Sequence, residues 1–305
     1  MDPSRAEALR PARLAVGVVG AGRVGAVLGA ALARAGHRVG AVSAVSHASR
    51  QRAADLLPGA DVVTVVEVLA RADLVLLTVP DDALPELVAG LATTGAVRRG
   101  TLLVHTSGRH GLGVLEPATR EGALPLAIHP ALPFAGTAVD LERLTGASFG
   151  VTAPDPLRPV AEALVVEMGG EPVWLTDEQR PLWHAALAHA ANHLTTLVAS
   201  SADLLREIGV QQPGLVLGPL LGAALDGSLR GGDAALTGPV ARGDADTVRA
   251  HLDALARVAP EVLPSYVAMA RLTADRALAS GRLSPERAAA LLGVLAASPS
   301  GSVPR

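Results

Sequence analysis

The chain has 305 residues, enough for two domains, and half of them are hydrophobic while only 2% are aromatic, so we expect cores built mostly from Ala, Leu and Val. The net charge of −3 and the scattered basic residues argue against a nucleic-acid-binding or membrane-binding surface, and no apolar run reaches spanning length without a charge or a proline. Cysteine is absent, which excludes disulfides and thiol chemistry, and residues 1–7 lack a signal-peptide pattern, so we expect a cytoplasmic protein.

Strand and helix patterns alternate through the first half of the chain, after a lead of residues 1–12 that we predict to be disordered. Strands are predicted near residues 13–19, 38–44, 62–66, 73–79, 101–106, 124–129, 147–152 and 171–175. Helices are predicted near residues 23–36, 48–57, 83–92, 112–121 and 156–168. Such alternation is typical of an α/β fold with a doubly wound, mostly parallel sheet.

The pattern changes after Trp174, where apolar residues begin to recur at helical spacing between glycine and proline breaks. We therefore predict an all-helical C-terminal domain that begins with a long helix, 177–208, and ends in a loose tail, 298–305. The predicted domains are 1–176 and 177–305.

A glycine-rich turn follows the first predicted strand and opens the first predicted helix. It reads Gly20-Ala21-Gly22-Arg23-Val24-Gly25. In this context Gly20 makes the tight turn, Gly22 lets the backbone approach a pyrophosphate, and Gly25 lets helix and strand pack closely. The pattern predicts a dinucleotide whose phosphates lie on the helix N-terminus. The alternative is an ordinary strand–turn–helix junction.

The residues after the second strand indicate which dinucleotide is bound. NAD enzymes usually place an acid there for the ribose 2′-hydroxyl, whereas here no acid precedes Asp55. The segment instead supplies Ser43, Ser46 and Arg50, whose hydroxyl and guanidinium groups suit a 2′-phosphate. We predict NADP(H) as cofactor. The alternative is a solvated helix start with Ser49 as its N-cap.

Three later strand ends carry polar residues toward the expected cofactor crevice. Val79-Pro80-Asp81 follows the fourth strand, where Asp81 could contact the dinucleotide or cap the next helix. His105-Thr106-Ser107-Gly108 ends the fifth strand and His129-Pro130 the sixth. A single histidine is more often a core residue whose hydrogen bonds are satisfied. Two histidines at the ends of neighbouring strands instead predict a site near the nicotinamide.

Together these motifs, with the segments His184–Asn192 and Leu236–Asp244, resemble the Rossmann-like proteins that carry a C-terminal DUF2520 domain. Those proteins are relatives of the ketopantoate reductase, 6-phosphogluconate dehydrogenase and pyrroline-5-carboxylate reductase group. The resemblance covers nearly the whole chain. It implies a Rossmann domain, a helical dimerisation domain and NADP-linked redox chemistry, and it suggests a ketopantoate-like substrate by association.

Relatives commonly place a Lys-x-x-x-Asn pair on the first long helix of the second domain. If Asn192 is that asparagine, the lysine position holds Ala188, and the chain contains no lysine at all. Histidine is the natural substitute, because its ordinary pKa near 6.5 suits proton transfer at neutral pH. The resemblance favours His184, whereas spacing favours His189, which is a helical neighbour of Asn192.

Two further patterns have competing interpretations. His189 and His193 have the spacing of a zinc-binding helix, but the catalytic glutamate and a third ligand are missing, so no metal is expected. Thr237 and Arg242 lie in a segment where the arginine could bind a substrate carboxylate, in the same subunit or across a dimer. The alternative is that the segment only opens a helix, with Asp244 as N-cap.

The sequence thus predicts a homodimeric NADP-dependent oxidoreductase that reduces a ketone or imine of a small carboxylate. His184, otherwise His105 or His129, would donate the proton, while Asn192 and Ser107 would orient the carbonyl group. One alternative is a dinucleotide-binding sensor or scaffold that has lost catalysis, which the missing lysine favours. Another is a non-redox enzyme that uses NADP structurally.

Overall fold

The computed structural model of the protein describes residues 13–297. Internal contacts divide the chain into two compact units, Met1–Ala191 and Asn192–Arg305. This division falls inside the long helix expected from the sequence, whereas the predicted domain boundary at 176/177 precedes that helix and stays a prediction. The predicted lead, 1–12, and the predicted tail, 298–305, lie outside the described residues.

The first unit contains, within the residues described, one sheet of eight strands in the order β3-β2-β1-β4-β5-β6-β7-β8. The strands are β1 (Ala15–Val19), β2 (Arg38–Ser43), β3 (Asp61–Val62), β4 (Leu74–Leu77), β5 (Leu102–His105), β6 (Leu124–Pro130), β7 (Ser148–Thr152) and β8 (Glu171–Trp174). The six strands from β3 to β6 pair in parallel, β7 is antiparallel to β6, and β8 is parallel to β7. The predicted fold class is confirmed, and the strand order reverses at β1, where ligands bind in such sheets.

Helices cover the sheet and make up the second unit. In chain order they are α1 (Arg23–Arg34), α2 (His47–Leu56), α3 (Val65–Arg71), α4 (Leu84–Thr93), α5 (Glu116–Arg120), α6 (Val139–Arg143), α7 (Arg158–Glu167), α8 (Arg180–Glu207), α9 (Pro213–Gly231), α10 (Gly238–Arg242), α11 (Ala245–Val258), α12 (Leu263–Ala279) and α13 (Pro285–Ala296). Most helices of the first half, and the long α8, match the predicted segments to within a few residues.

The central strands are buried on both faces, which explains their continuous apolar sequences. In β4, Leu74 and Leu76 belong to one hydrophobic cluster, and Val75 and Leu77 belong to another on the opposite face. All four side chains are at most 2% exposed. Because side chains alternate along a strand, the same rule places His105, the last residue of β5, on the face of Val75 and Leu77.

The strand β6 continues past the end of its neighbour β5. His105 pairs with Ala127, so that Ile128, His129 and Pro130 extend beyond β5 at the carboxyl edge of the sheet. β7 runs back along this extension. The last three strands therefore extend beyond the carboxyl edge of the parallel strands, where the dinucleotide is expected to bind.

One local prediction about the first unit is wrong, and one short helix is not predicted at all. The predicted strand 62–66 is only Asp61–Val62, because a capping box between Thr64 and Glu67 starts α3 at Val65. The β-branched residues around Thr64 favour a strand by composition, but the two capping hydrogen bonds favour a helix. The short helix α6 was also not predicted.

The second unit is helical, as predicted. Its core joins the last helices through Val248, Leu252, Leu255, Ala270, Ala274, Leu291 and Leu295. The Asp244 side chain accepts a hydrogen bond from the Thr247 backbone N–H at 3.1 Å, so the predicted N-cap is confirmed. Among residues 13–297, no helix combines the length and the apolar character that crossing a membrane requires.

Substitution Gly17→Ala tests the close approach of α3 to β1. An added Cβ would lie 2.5 Å from Val68 Cγ1 and 3.0 Å from Ala72 Cβ, so we expect a loss of about 1–3 kcal/mol in the free energy of unfolding. Gly90→Ala is the control, since no atom lies within 4 Å of its added Cβ inside α4, and it should stabilise the protein by about 0.5–1 kcal/mol. Urea unfolding measures both variants, and a fully stable Gly17→Ala protein would contradict this packing.

Candidate active site

The glycine turn between β1 and α1 leaves room for a ligand at one position only. Gly20 has φ +93°, and a Cβ on Gly25 would overlap Thr78 Oγ1 and the Gly20 carbonyl. A Cβ on Gly22 would meet only the Gly20 carbonyl, at 4.0 Å, so Gly22 faces open space. α1 begins there with no side-chain cap and no acid in its first turn. These residues fit a pyrophosphate, which would accept from the free N–H groups of the helix.

The residues predicted to bind the 2′-phosphate divide into two groups. Ser43 is buried, and its hydroxyl accepts from the Gly20 backbone N–H at 3.1 Å, so it supports the glycine turn. Ser46 and Arg50 are exposed at the start of α2. Ser46, not Ser49, caps this helix. The Ser46 hydroxyl also donates to Ser49 Oγ at 3.1 Å, and Arg50 Nε donates to the Ala44 carbonyl at 3.4 Å. An anion bound here would therefore replace the Ser46–Ser49 hydrogen bond or contact the outer N–H groups of Arg50.

A loop after β6 lies beside the glycine turn, which sequence patterns did not indicate. A Cβ on Gly136, where φ is +83°, would lie 2.8 Å from Arg52 Cδ and 3.1 Å from Arg23 Cα. The buried Asp140 carboxylate holds this loop by accepting from the backbone N–H groups of Gly136, at 2.7 Å, and Thr137, at 3.2 Å. The loop therefore borders the cradle for the dinucleotide phosphates.

The turn Val79-Pro80-Asp81 after β4 is tied to the loop after β5. The His110 Nε2–H donates to the Asp81 carbonyl at 3.1 Å, and the Asp81 carboxylate lies 3.4 Å from Arg109 Nε. α4 begins at Leu84 without a side-chain cap, so the alternative role of Asp81 as its N-cap is wrong. Two strand ends are thus fixed relative to each other at the carboxyl edge.

His105 is fully buried, and both of its ring nitrogens are engaged. Nδ1 accepts from the Ser107 backbone N–H at 3.2 Å, so Nε2 carries the proton and donates to the Gly111 carbonyl at 3.1 Å. Burial, followed by the charge of Arg180, lowers the pKa of His105 to about 3. At neutral pH His105 therefore shapes the loop 105–111 as an uncharged residue.

His129 and His184 come together at Gly108. Their rings meet edge to face with centroids 5.8 Å apart, and a Cβ on Gly108 would lie 2.6 Å from His184 Cδ2 and 2.9 Å from His129 Nε2. Trp183 Nε1–H donates to His129 Nδ1 at 3.1 Å. Burial, followed by the charges of Arg180 and His184, lowers the pKa of His129 to about 4.

Arg180 is a buried cation that the sequence analysis missed. Its guanidinium donates to the Ser107 carbonyl at 2.7 Å, to Thr152 Oγ1 at 2.9 Å and to the Gly150 carbonyl at 3.5 Å. Nε is buried without a hydrogen-bond partner among the described residues. Burial lowers the pKa of Arg180 to about 10, against the raising effect of Asp177, so it stays charged at neutral pH.

Asp177 fixes the far end of the same loop. Its carboxylate accepts from the backbone N–H groups of Leu112, at 3.0 Å, and Gly113, at 3.4 Å. A Cβ on Gly111 would overlap this carboxylate, so glycine is required there. No sequence periodicity reveals either Asp177 or Arg180, because their partners lie on strands and loops distant in the chain.

Three predicted site residues belong to the second unit. Asn192 lies on α8, Thr237 occupies the N-cap position of α10, and Arg242 is the exposed last residue of α10. Their roles stay predictions. In the part of the chain that is described, no three His, Asp or Glu side chains cluster as a metal site requires. His189 and His193 therefore belong to no such cluster.

Two protein families match the sequence. The Rossmann-like domain matches residues 1–130, and the domain of unknown function DUF2520 matches residues 147–273. No curated protein matches the chain.

Several solved structures share the fold. A protein of Bacteroides fragilis described as a candidate NADP oxidoreductase is 24% identical, with a TM-score of 0.73 over 86% of this chain and 98% of that chain. An imine reductase of Pseudomonas sp. is 18% identical, with a TM-score of 0.60 over 81% and 88%. A Plasmodium falciparum pyrroline carboxylate reductase with NADP bound is 13% identical, with a TM-score of 0.56 over 91% and 98%. These neighbours are named as oxidoreductases, and at such identities the likeness shows the fold.

The low pKa of buried His105 makes the stability of the protein dependent on pH. Below pH 6.5 the unfolded chain binds a proton at this residue that the folded chain does not, so the free energy of unfolding falls as the pH falls. Between pH 7.5 and pH 5, we expect the free energy of unfolding of His105→Gln to fall by about 2 kcal/mol less than that of the wild type. Urea unfolding at the two pH values measures the difference. Equal losses in both proteins would show that His105 titrates normally when folded.

Proposed function

We propose that this chain is an NADP-dependent reductase. It belongs to the proteins that join a Rossmann-like domain to a DUF2520 domain. Its substrate would be a small carboxylate with a ketone or imine group. The observation that carries the proposal is the open cradle at Gly22 on the same sheet edge as the His129–His184 pair. A dinucleotide laid from one to the other follows the usual path across such a sheet.

The cofactor would be held by the backbone more than by side chains. The N–H groups at the start of α1 would bind the pyrophosphate, while Ser46 and Arg50 would bind the 2′-phosphate. When bound, NADPH would supply the hydride for the substrate carbon. The absence of an acid between Ser43 and Asp55 favours NADP over NAD.

His184 is the best candidate for the proton donor. The structure gives its ring no hydrogen-bond partner among residues 13–297, whereas both nitrogens of His105 are engaged within the loop. In the proposed reaction His184 protonates the oxygen or nitrogen atom of the substrate as the adjacent carbon is reduced. Ser107 accepts from the His110 backbone N–H and still has its own hydroxyl proton with which to orient the substrate.

The second unit supports the proposal of a homodimer. α9 exposes several large apolar side chains, among them Leu215 (72%), Leu220 (62%) and Leu229 (79%). An exposed apolar helix surface of this kind is typical of an interface between subunits. Covering it with a second copy of the chain would remove this apolar area from water.

The first test is titration of the purified protein with NADPH and NADH, followed by nicotinamide fluorescence. NADPH should bind more tightly, and Arg50→Ala should weaken NADPH binding about tenfold with little change for NADH, because a charge-assisted hydrogen bond to the phosphate is lost. Arg120→Ala is a matched control, since that exposed arginine pairs with Glu116 on α5. Tighter binding of NADH would contradict the assignment of Ser46 and Arg50 to the 2′-phosphate.

A second test concerns the proton donor. His184→Gln should lower turnover with the best 2-keto acid or imine substrate at least about a hundredfold, the usual scale for a general acid, and should leave NADPH affinity unchanged. Unchanged turnover would remove His184 from the mechanism. If no such substrate consumes bound NADPH in the wild type, the reductase proposal fails and the two alternatives remain, a sensor or scaffold and a non-redox enzyme that uses NADP structurally.

A further inference from the structure

Trp183 determines where the proton of His129 is located. The indole Nε1–H can only donate a hydrogen bond, so the His129 Nδ1 that it contacts at 3.1 Å must act as acceptor. A neutral imidazole with an unprotonated Nδ1 carries its proton on Nε2. Protonating Nδ1 would set two N–H groups against each other.

The surrounding charges oppose protonation of His129 as well. Arg180 and His184 face it from α8, His105 from β5 and Asp81 from the turn after β4. Only Asp81 favours the charged form. The three hydrogen-bond acceptors of Arg180 are uncharged oxygen atoms, so its positive charge is not neutralised by direct contact with a carboxylate.

The Nε2 atom of His129 points to the place where His129, His184 and Gly108 meet. A Cβ on Gly108 would lie only 2.9 Å from this atom, so the glycine keeps it accessible. Within residues 13–297, Nε2 has no hydrogen-bond partner and is not among the buried, unpaired side-chain atoms. It is therefore an accessible donor of fixed direction beside the proposed acid, His184.

We propose that His129 is an uncharged hydrogen-bond donor that binds the substrate's carbonyl oxygen or imine nitrogen through Nε2–H, and that Trp183 is the positioning residue that keeps its proton there. This assignment rests on the proposed reductase function for its substrate. A neutral imidazole polarises a carbonyl group without giving up its own proton. The two histidines thereby have separate tasks: His129 orients and polarises the acceptor atom, and His184 supplies the proton.

The protonation state can be measured without any turnover. In the full-length protein with ¹⁵N-labelled histidine, long-range ¹H–¹⁵N NMR should show His129 as the Nε2–H tautomer, identified by loss of its signals in His129→Gln. It should remain uncharged from pH 8 to pH 5. Trp183→Phe should populate the Nδ1–H tautomer and raise the protonation midpoint of His129. A wild-type His129 that carries its proton on Nδ1, or that titrates near pH 6.5, would overturn the proposal.

Turnover tests the role of the donor. Gln can present a neutral N–H near the position of Nε2, whereas Leu cannot. We expect His129→Leu to lower kcat at least about a hundredfold, the scale for loss of one oxyanion donor, and His129→Gln to lower it about tenfold or less. Equal activity of the two variants would refute the donor role. The NMR result stands even if no reductase activity is found, so failure of the proposed function is distinguished from failure of this assignment.

Discussion

The buried guanidinium of Arg180 is the interaction on which the site in the first unit depends. It binds the Ser107 carbonyl in the loop after β5 and reaches Thr152 and Gly150 on β7, so that one side chain joins a loop, a strand and the long helix. A buried charge is costly unless polar groups surround it, and removing those groups would leave it unsatisfied. Arg180 thus fixes the geometry of the loop, and its charge adds to burial, the main cause of the lowered pKa of His105 and His129.

Much of the fold follows from patterns that the sequence displays openly. The apolar run of β4 supplies both faces of a buried strand, and Gly25 after β1 occupies a position where a larger side chain would overlap Thr78. The prediction failed at Thr64, where β-branched neighbours indicated a strand but a capping box starts a helix. Local hydrogen bonds to the backbone decided the structure there, and composition does not report them.

The candidate site was only partly predictable, for a different reason. That His105 and His129 lie at one edge follows from their places at the ends of neighbouring parallel strands. What each ring does depends on Trp183 and Arg180, which contact residues 54 and 73 positions away in the chain. Periodicity carries no information about such pairs. The roles of Asn192 and Arg242 in the second unit remain predictions.

The positions of the site residues along the chain also set an order of events during synthesis. The glycine turn and its neighbouring strands precede the residue that completes the histidine environment, since Arg180 follows Ser107 by 73 residues. On the ribosome, the cradle for the dinucleotide therefore leaves the exit tunnel well before α8 does. A nascent chain that stops short of α8 contains His105 and His129 but lacks Arg180, Trp183 and His184. The residues that set the protonation of His129 are thus synthesised after His129 itself.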